Sequence, residues 1–364
     1  MKILHVCSHF NPCIGGIERY VEELSNNLIE LGHISDVLCL DKCPHSKNKL
    51  VFHEKIGKIN VYRLPFINLK YYQITPGVLN FIKNYDIIHI HGIGFFSDIL
   101  TLTKIFHKKP LVLSTHGGIF HTKKISLLKK FYFNFWCKIT MKFIDKVIAH
   151  SKNDEKMFSK ISKPILIPYA INFDKFYKLD KEKNSFLFVG RLSKNKRVDR
   201  ILDMAFYLKR KITHFKIYIV GDGNERPFLE RKCENLNLNN NVYFVGKKIG
   251  KQLLEYYAKS KFFLLSSEYE GFGISVLEAM ASGCIVIVND IEAFRNFVKN
   301  GENGFLVNYS DPKNTAELIF SLINKDLCEI SKNAIKTAKE YDWSNIIKRI
   351  ENEYENVGKW NTKC

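Results

Sequence analysis

The sequence predicts an α/β protein built from two Rossmann-like, doubly wound domains that face each other across a central cleft. Three observations predict it. The chain has 364 residues, beyond the size at which one hydrophobic core usually stops growing. Short β-branched apolar runs alternate with helix-like stretches along its whole length, which implies parallel strands joined by right-handed crossovers. Several of these runs end in glycine-containing turns that lead into helices, the arrangement in which open α/β sheets bind ligands.

In the first half, Ile3–Val6 reads as a strand, Glu18–Leu31 as a helix with apolar residues at helical spacing, and Ser35–Leu40 and Ile59–Leu64 as the next strands. Ile87–His91, Leu111–Thr115 and Lys146–Ala149 follow as compact apolar runs of strand length. The second half repeats the grammar with Ser185–Val189, Phe215–Val220, Asn241–Val245, Phe262–Leu265, Cys284–Val288 and Gly304–Val307. Between the halves, residues 165–179 contain Pro168 and no strong periodicity, so the linker is placed there. The expected division is residues 1–168, an acceptor-side domain, residues 169–343, a donor-side domain, and residues 344–364, a C-terminal helix and tail that could pack back on the first domain.

Composition narrows the class. Apolar residues make up 46% and charged residues 26%, the balance of an ordinary soluble globular protein. No stretch of about eighteen apolar residues occurs, so no spanning helix is expected, and the N-terminal apolar run is too short for a signal peptide. Nine cysteines without a C-x-x-C pattern read as reduced thiols in a cytoplasmic protein. Fifty-six Lys and Arg against thirty-seven Asp and Glu give a net charge of +19, which favours anionic partners. Nucleic acid is set aside because no helix-turn-helix, zinc-finger or aromatic-sheet signature accompanies the charge.

Four motifs carry candidate chemistry. In Ser267–Ala281, a strand runs through a glycine turn into a helix that begins near Ile274. Glu270 then lies at the strand's carboxyl end. Around Gly271, Phe272, Gly273, Ile274, Ser275 and Val276 the chain enters a first helical turn, whose free N–H groups and dipole suit a phosphate. Glu278 falls in the second turn, where a carboxylate could accept ribose hydroxyls. In Phe186–Arg197, a second strand ends at Gly190, and Arg191 and Lys196 place two cations above the sheet, one able to read phosphate bidentately and one as a point charge. Gly15 and Gly16 form a turn after the first strand that allows close backbone approach. His116, in Ser114–Gly118, could bond a sugar hydroxyl.

Three further features read either way. Gly221-Asp222-Gly223 suits a plain turn, and Val245-Gly246 is a place where a nucleotide base could lie against backbone. Residues 123–138 mix lysines with aromatics, which fits a peripheral contact with an anionic membrane or a partly buried helix with a solvated basic face.

At these residues the chain resembles the retaining glycosyltransferases of family 4, the glycosyl transferases group 1, which have the GT-B fold. The resemblance covers nearly the whole length and rests on the Glu270/Glu278 pair, Gly190-Arg191 with Lys196, Gly15-Gly16 and Thr115-His116-Gly117. It implies transfer of a hexose or hexose derivative from a UDP- or GDP-sugar to a glycan or lipid-linked acceptor. Arg191 and Lys196 would neutralise the diphosphate, Glu278 would hold the ribose, and Glu270 with His116 would address the sugar. No cofactor is expected, the nucleotide sugar being a substrate. No D-x-D occurs, so metal-independent chemistry is expected, with front-side attack in which the leaving phosphate oxygen takes the acceptor's proton. Two stretches depart from the family pattern: Pro168-Tyr169-Ala170-Ile171-Asn172 in place of the common Pro-Asn-Gly-Ile-Asp, and Asn289-Asp290-Ile291-Glu292-Ala293 in place of Gly-Gly-x-x-Glu. The alternatives are a catalytically idle GT-B scaffold subunit or a sugar-nucleotide epimerase.

Overall fold

The structure is a computed structural model; it describes residues 1–13, 15–44, 46, 48–69, 72–117, 126–176 and 180–361. Gly118 of the histidine turn and residues 123–125 of the basic aromatic segment lie outside the described residues. The chain divides into two compact units. One comprises residues up to Tyr169 together with the segment from Ser344 onward, and the other runs from Ala170 to Trp343.

The first unit carries β1 (Lys2–Val6), α1 (Gly16–Glu30), β2 (Ile34–Leu40), β3 (His53–Ile56), β4 (Ile59–Leu64), β5 (Ile87–His91), β6 (Leu111–Ser114), β7 (Lys146–Ala149) and β8 (Ile165–Leu166). They form one eight-stranded sheet in the order β8-β7-β6-β5-β1-β2-β4-β3, parallel throughout except for β3 against β4. After its first residue β1 is fully buried, as are all of β5 and β6, because helices cover both faces of a parallel sheet. On α1 the buried positions Tyr20, Val21, Leu24, Ser25 and Leu28 repeat at helical spacing. Leu4, Val6, Leu38, Ile88, Ile90, Leu111, Leu113 and Phe158 belong to one core cluster.

Strand β3 has no counterpart in the sequence reading. Its residues, His-Glu-Lys-Ile, lack an apolar run, because an edge strand exposes one side and needs no such run. It turns back on β4 through Gly57, whose φ of +59° suits the tight reversal.

The cysteine expectation is corrected. Cys13 and Cys43 form a disulfide across 30 residues. Each follows the carboxyl end of a strand, and β1 and β2 are parallel neighbours, so the two loops lie side by side although the sequence keeps them apart. Cys7, Cys39, Cys137, Cys233 and Cys284 are buried thiols and Cys328 is an exposed one.

The second unit holds β9 (Glu182–Val189), α2 (Val198–Lys209), β10 (Lys216–Val220), β11 (Val242–Gly246), β12 (Ser260–Leu265), α3 (Ile274–Ala281), β13 (Ile285–Asn289) and β14 (Phe305–Val307). The sheet is wholly parallel in the order β11-β10-β9-β12-β13-β14. The direction of winding reverses between β9 and β12, and that topological switch point is where such a sheet opens a crevice at its carboxyl edge. Phe186 of β9 stacks on Phe262 of β12 with ring centroids 5.0 Å apart, fastening the two central strands below it.

The C-terminal helix α4 (Trp343–Asn361) closes the first unit. Ile346, Ile347, Ile350, Tyr354 and Val357 are buried along one face, Glu351 meets His33 at 2.7 Å and Glu353 meets Lys146 at 2.8 Å.

Candidate functional site

Two loops leave the switch point of the second sheet, one after β9 and one after β12, and they are laced together. The Glu268 amide donates to the Asn195 carbonyl at 3.0 Å, the Asn195 side chain to the Tyr269 carbonyl at 2.7 Å, and the Ser266 hydroxyl to the carbonyls of Lys196 and Arg197. Arg197 and Arg200 both hold Glu268, at 2.5 and 2.8 Å. Gly190, Arg191, Lys196, Glu270 and Gly271 are thereby gathered at one edge of the sheet.

Within this frame Lys196 Nζ lies 2.5 Å from Glu270 Oε1, and the Ser267 hydroxyl donates to the same oxygen at 2.8 Å. Both ionic side chains are mostly withdrawn from solvent, at 19% and 13% exposure, so their attraction is screened far less than on an open surface. Arg191 is exposed and makes no ion pair among the described residues. Its guanidinium is therefore available to an anion.

Helix α3 starts directly after this loop. Gly273 is its N-cap with φ of +101°, and a Cβ there would come within 2.5 Å of the Phe294 ring. The Val276 amide is spent on the Gly273 carbonyl at 2.9 Å, which leaves Ile274 and Ser275 as first-turn amides without an intrahelical acceptor. Phe272 is buried against Phe297 and Tyr341 and anchors the turn rather than facing solvent. Glu278 is 3% exposed and accepts a 2.7 Å bond from the Tyr257 hydroxyl.

The Gly221-Asp222-Gly223 turn has a structural cause. A Cβ at Gly221 would lie 1.9 Å from the Gly190 carbonyl oxygen, and one at Gly223 would lie 2.2 Å from that of Leu192. These glycines let the loops after β9 and β10 touch at backbone distance. Val245 and Gly246 end β11, two strands from β9, where the Gly246 carbonyl accepts from the Gly221 amide at 2.9 Å. The Asn289 loop joins the same edge: its side chain donates to the Ser267 carbonyl at 3.0 Å and accepts from the Tyr309 amide.

In the first unit, Gly15 is the N-cap of α1, with an extended φ of −157°, and the Glu18 carboxylate folds over it. Burial raises the Glu18 carboxyl above its ordinary value. No described residue lies within 4 Å of a Cβ built at Gly16. The switch point of this sheet falls between β1 and β5, and a cavity of about 90 Å³ there is lined by Ser8, Gln73, His91, Gly92 and Gly94 among others.

His116 follows β6 with φ of +47° and is 7% exposed. Its Nε2 lies 3.0 Å from His91 Nδ1 and its Nδ1 lies 2.6 Å from the Tyr169 hydroxyl. Burial, reinforced by His150, holds its imidazole well below the usual range, so it is neutral. His91, His150, Tyr20 and Tyr169 surround it, and His5 reaches it through His91; of these the sequence pointed only to Tyr169, as a departure from the family pattern. The other legible signal was the alternation His89-Ile90-His91, which puts two imidazoles on one face of a strand.

Residues 14–174 match glycosyltransferase family 4 and residues 171–341 match the glycosyl transferases group 1. A GDP-mannose:cellobiosyl-diphosphopolyprenol alpha-mannosyltransferase of Xanthomonas campestris is 29% identical over 97% of this chain and 96% of its own length. Its namesake from Komagataeibacter xylinus is 26% identical over 98% and 93%. Among solved structures, sucrose-phosphate synthase from Thermosynechococcus elongatus superposes with a TM-score of 0.80 at 20% identity, covering 98% of each chain. HepE of Anabaena, in complex with UDP and glucose, gives 0.75 at 17%, covering 98% of this chain and 99% of its own. At those identities the likeness shows the fold alone, the GT-B plan of two Rossmann-like domains.

Proposed function

The chain belongs to the group 1 and family 4 glycosyltransferases, and from that premise we propose that it transfers a hexose or hexose derivative from a nucleoside-diphosphate sugar to a lipid-linked or glycan acceptor, with retention and without metal. GDP-mannose and a diphosphopolyprenol-linked saccharide are the first candidates, because the named relatives use them. UDP-sugars are the second.

The observation that carries the reading is the set of positive groups at the β9/β12 edge. An exposed Arg191, the Lys196 ammonium and the first-turn amides of Ile274 and Ser275 offer a diphosphate two cations and a helix N-terminus. An ammonium has three N–H donors, so Lys196 keeps one on Glu270 and presents the others to phosphate. As the glycosidic bond breaks, charge grows on the departing phosphate, and groups already in place stabilise that state most. Glu270, oriented by Lys196 and Ser267, receives sugar hydroxyls. His116 bonds another sugar oxygen, Glu278 takes the ribose hydroxyls, and Val245-Gly246 flanks the base. The first unit, with Gly15-Gly16 and the small cavity beside His91 and Gly94, takes the acceptor side.

A peripheral contact with an anionic membrane belongs to the same proposal. Leu127, Phe131, Phe135, Ile139 and Phe143 are all exposed, four residues apart along one helical segment. Lys130, Lys138 and Lys142 are exposed beside them. An apolar ridge edged with lysine suits a layer of acidic headgroups above acyl chains, and it would bring the enzyme to a lipid-linked acceptor on the cytoplasmic side. No described helix is long and apolar enough to cross a membrane.

The test is a panel of GDP- and UDP-sugars supplied with a diphosphopolyprenol-linked saccharide, followed by NMR of the product's anomeric centre and a parallel assay with chelator. Transfer from one donor with the donor's anomeric configuration kept, unaffected by chelator, supports the proposal. Inversion, or absolute dependence on added divalent metal, sinks it.

A further inference from the structure

His116 stands at the end of a chain of imidazoles. His5 Nδ1 lies 3.0 Å from His91 Nε2, His91 Nδ1 lies 3.0 Å from His116 Nε2, and His116 Nδ1 lies 2.6 Å from the Tyr169 hydroxyl. All three histidines are buried. Desolvation brings His5 down to about 3 and, with the neighbouring imidazoles, puts His91 and His116 well below their ordinary value.

A neutral imidazole carries one N–H, so it donates from one nitrogen and accepts at the other. Each imidazole–imidazole link needs one proton between its two nitrogens. The links are therefore not independent: fixing the proton on His91 fixes it on both neighbours. Only two arrangements satisfy the chain, one running from His5 toward Tyr169 and one running back.

The two differ at the buried end. His5 Nε2 has no hydrogen-bond partner among the described residues. In the backward arrangement it would carry an N–H, a buried donor with nothing to receive it. In the forward arrangement it is a bare lone pair. Orphaned buried N–H groups are rarer than under-satisfied acceptors, which selects the forward direction.

Hydrogen bonding also takes five of the six ring nitrogens of His5, His89 and His91, which is why they do not form a ready metal cage although their ligand atoms lie within 4.8 Å of one another. His89 is spent on the Tyr354 hydroxyl at 2.6 Å and the Ser114 hydroxyl at 2.9 Å. Only His5 Nε2 is left over, and the cluster is organised for hydrogen bonding.

We infer that His5 and His91 are positioning residues that deliver His116 as the Nδ1–H tautomer, through the one-way chain His5 Nδ1–H to His91, His91 Nδ1–H to His116, and His116 Nδ1–H to Tyr169. This rests on the reading of His116 as a contact of the donor sugar and adds its sense: His116 gives a proton to an oxygen lone pair instead of receiving one. Tyr169, which stands where the family commonly has asparagine, holds with its hydroxyl oxygen the place that a sugar oxygen would take on that N–H. The ligand group recognised is thus a hydroxyl or ring oxygen acting as acceptor.

The test is 15N NMR of the whole protein labelled at histidine, with His116→Gln used to identify the His116 signals. The wild-type protein should show His116 protonated at Nδ1 and bare at Nε2. Protonation at Nε2 overturns the inference, and this measurement needs no destabilising variant. In His91→Phe, His116 should populate both tautomers and kcat/KM for the donor should fall about ten-fold, the scale of a small misplacement of an active group. His91→Gln, whose amide can both donate and accept, should recover most of each. An unchanged His116 tautomer in His91→Phe also overturns the inference. If the tautomer mixes as expected while transfer stays at the wild-type rate, the relay stands and the assignment of His116 to the donor falls.

Discussion

The Lys196 ammonium sits 2.5 Å from Glu270 Oε1, joining the loops that leave the two central strands of the second sheet. The cation and the carboxylate therefore work as a pair. Lys196→Ala removes a charge proposed to face the diphosphate and leaves a mostly buried carboxylate without its cation, and should lower turnover by about 10²–10³. Lys196→Arg should recover little, because a planar fork replaces a point charge. Initial-rate assays at saturating donor check this; a loss below about three-fold in the alanine variant contradicts it.

Arg191 has no ionic partner to lose among the described residues. Arg191→Ala should therefore unfold at the wild-type temperature while its affinity for free GDP or UDP drops about 10–100-fold, the range of a hydrogen bond to a charged group. Calorimetric titration beside a thermal melt separates the two effects, and equal nucleotide affinity would remove Arg191 from the site.

Neighbouring glycines should respond differently to alanine. At Gly271 nothing lies within 4 Å of an added Cβ, whereas at Gly273 the φ of +101° and the Phe294 ring at 2.5 Å both oppose it. Gly271→Ala should be nearly neutral in stability. Gly273→Ala should cost about 2–4 kcal/mol, the sum of a left-handed residue and an overpacked contact. Urea unfolding curves of the two variants decide it.

The buried histidines should make the first unit acid-sensitive. Burial lowers His5 to about 3 and His150 to about 4, and holds His89, His91 and His116 well below their ordinary value. In the unfolded chain they titrate near the ordinary value of about 6.5. Below that pH the unfolded state binds more protons than the folded one, so stability is full above about 6.5 and is lost as the pH falls toward the folded values. Each such histidine adds up to about 1.4 kcal/mol per pH unit. Denaturant unfolding at pH 8, 6 and 5 should show a steepening fall, and His150→Phe should flatten it; stability independent of pH over that span would contradict the assignment.

The exposed apolar ridge predicts lipid binding. Phe131→Ser with Phe135→Ser removes two stacked rings, 5.4 Å apart and both more than half exposed. Co-sedimentation with vesicles containing phosphatidylglycerol should fall at least about five-fold, since each ring contributes apolar burial on the order of 1.5–3 kcal/mol. Transfer to a water-soluble acceptor analogue should be unchanged. Equal sedimentation of wild type and variant ends the membrane proposal.

Much of the architecture was legible in the residues. Ile59–Leu64, Ile87–His91 and Lys146–Ala149 are strands at the bounds their apolar runs suggested, and α3 begins at the Ile274 that follows the glycine turn. These are local signals: burial on both faces of a parallel strand demands a continuous apolar run, and glycine marks the turn beyond it. The edge strand β3 was missed because an exposed edge does not demand one.

What the sequence determined by itself was the repeated strand–helix grammar, the two units, and the residue types at the strand ends, since each depends on neighbours a few positions away. Tertiary structure alone decided which of those residues meet. The pairing of Lys196 with Glu270 spans 74 residues, the disulfide spans 30, and His5 reaches His91 across 86. The physical reason is the parallel crossover. It places the carboxyl ends of distant strands side by side, so partners there are chosen by strand order and not by spacing along the chain.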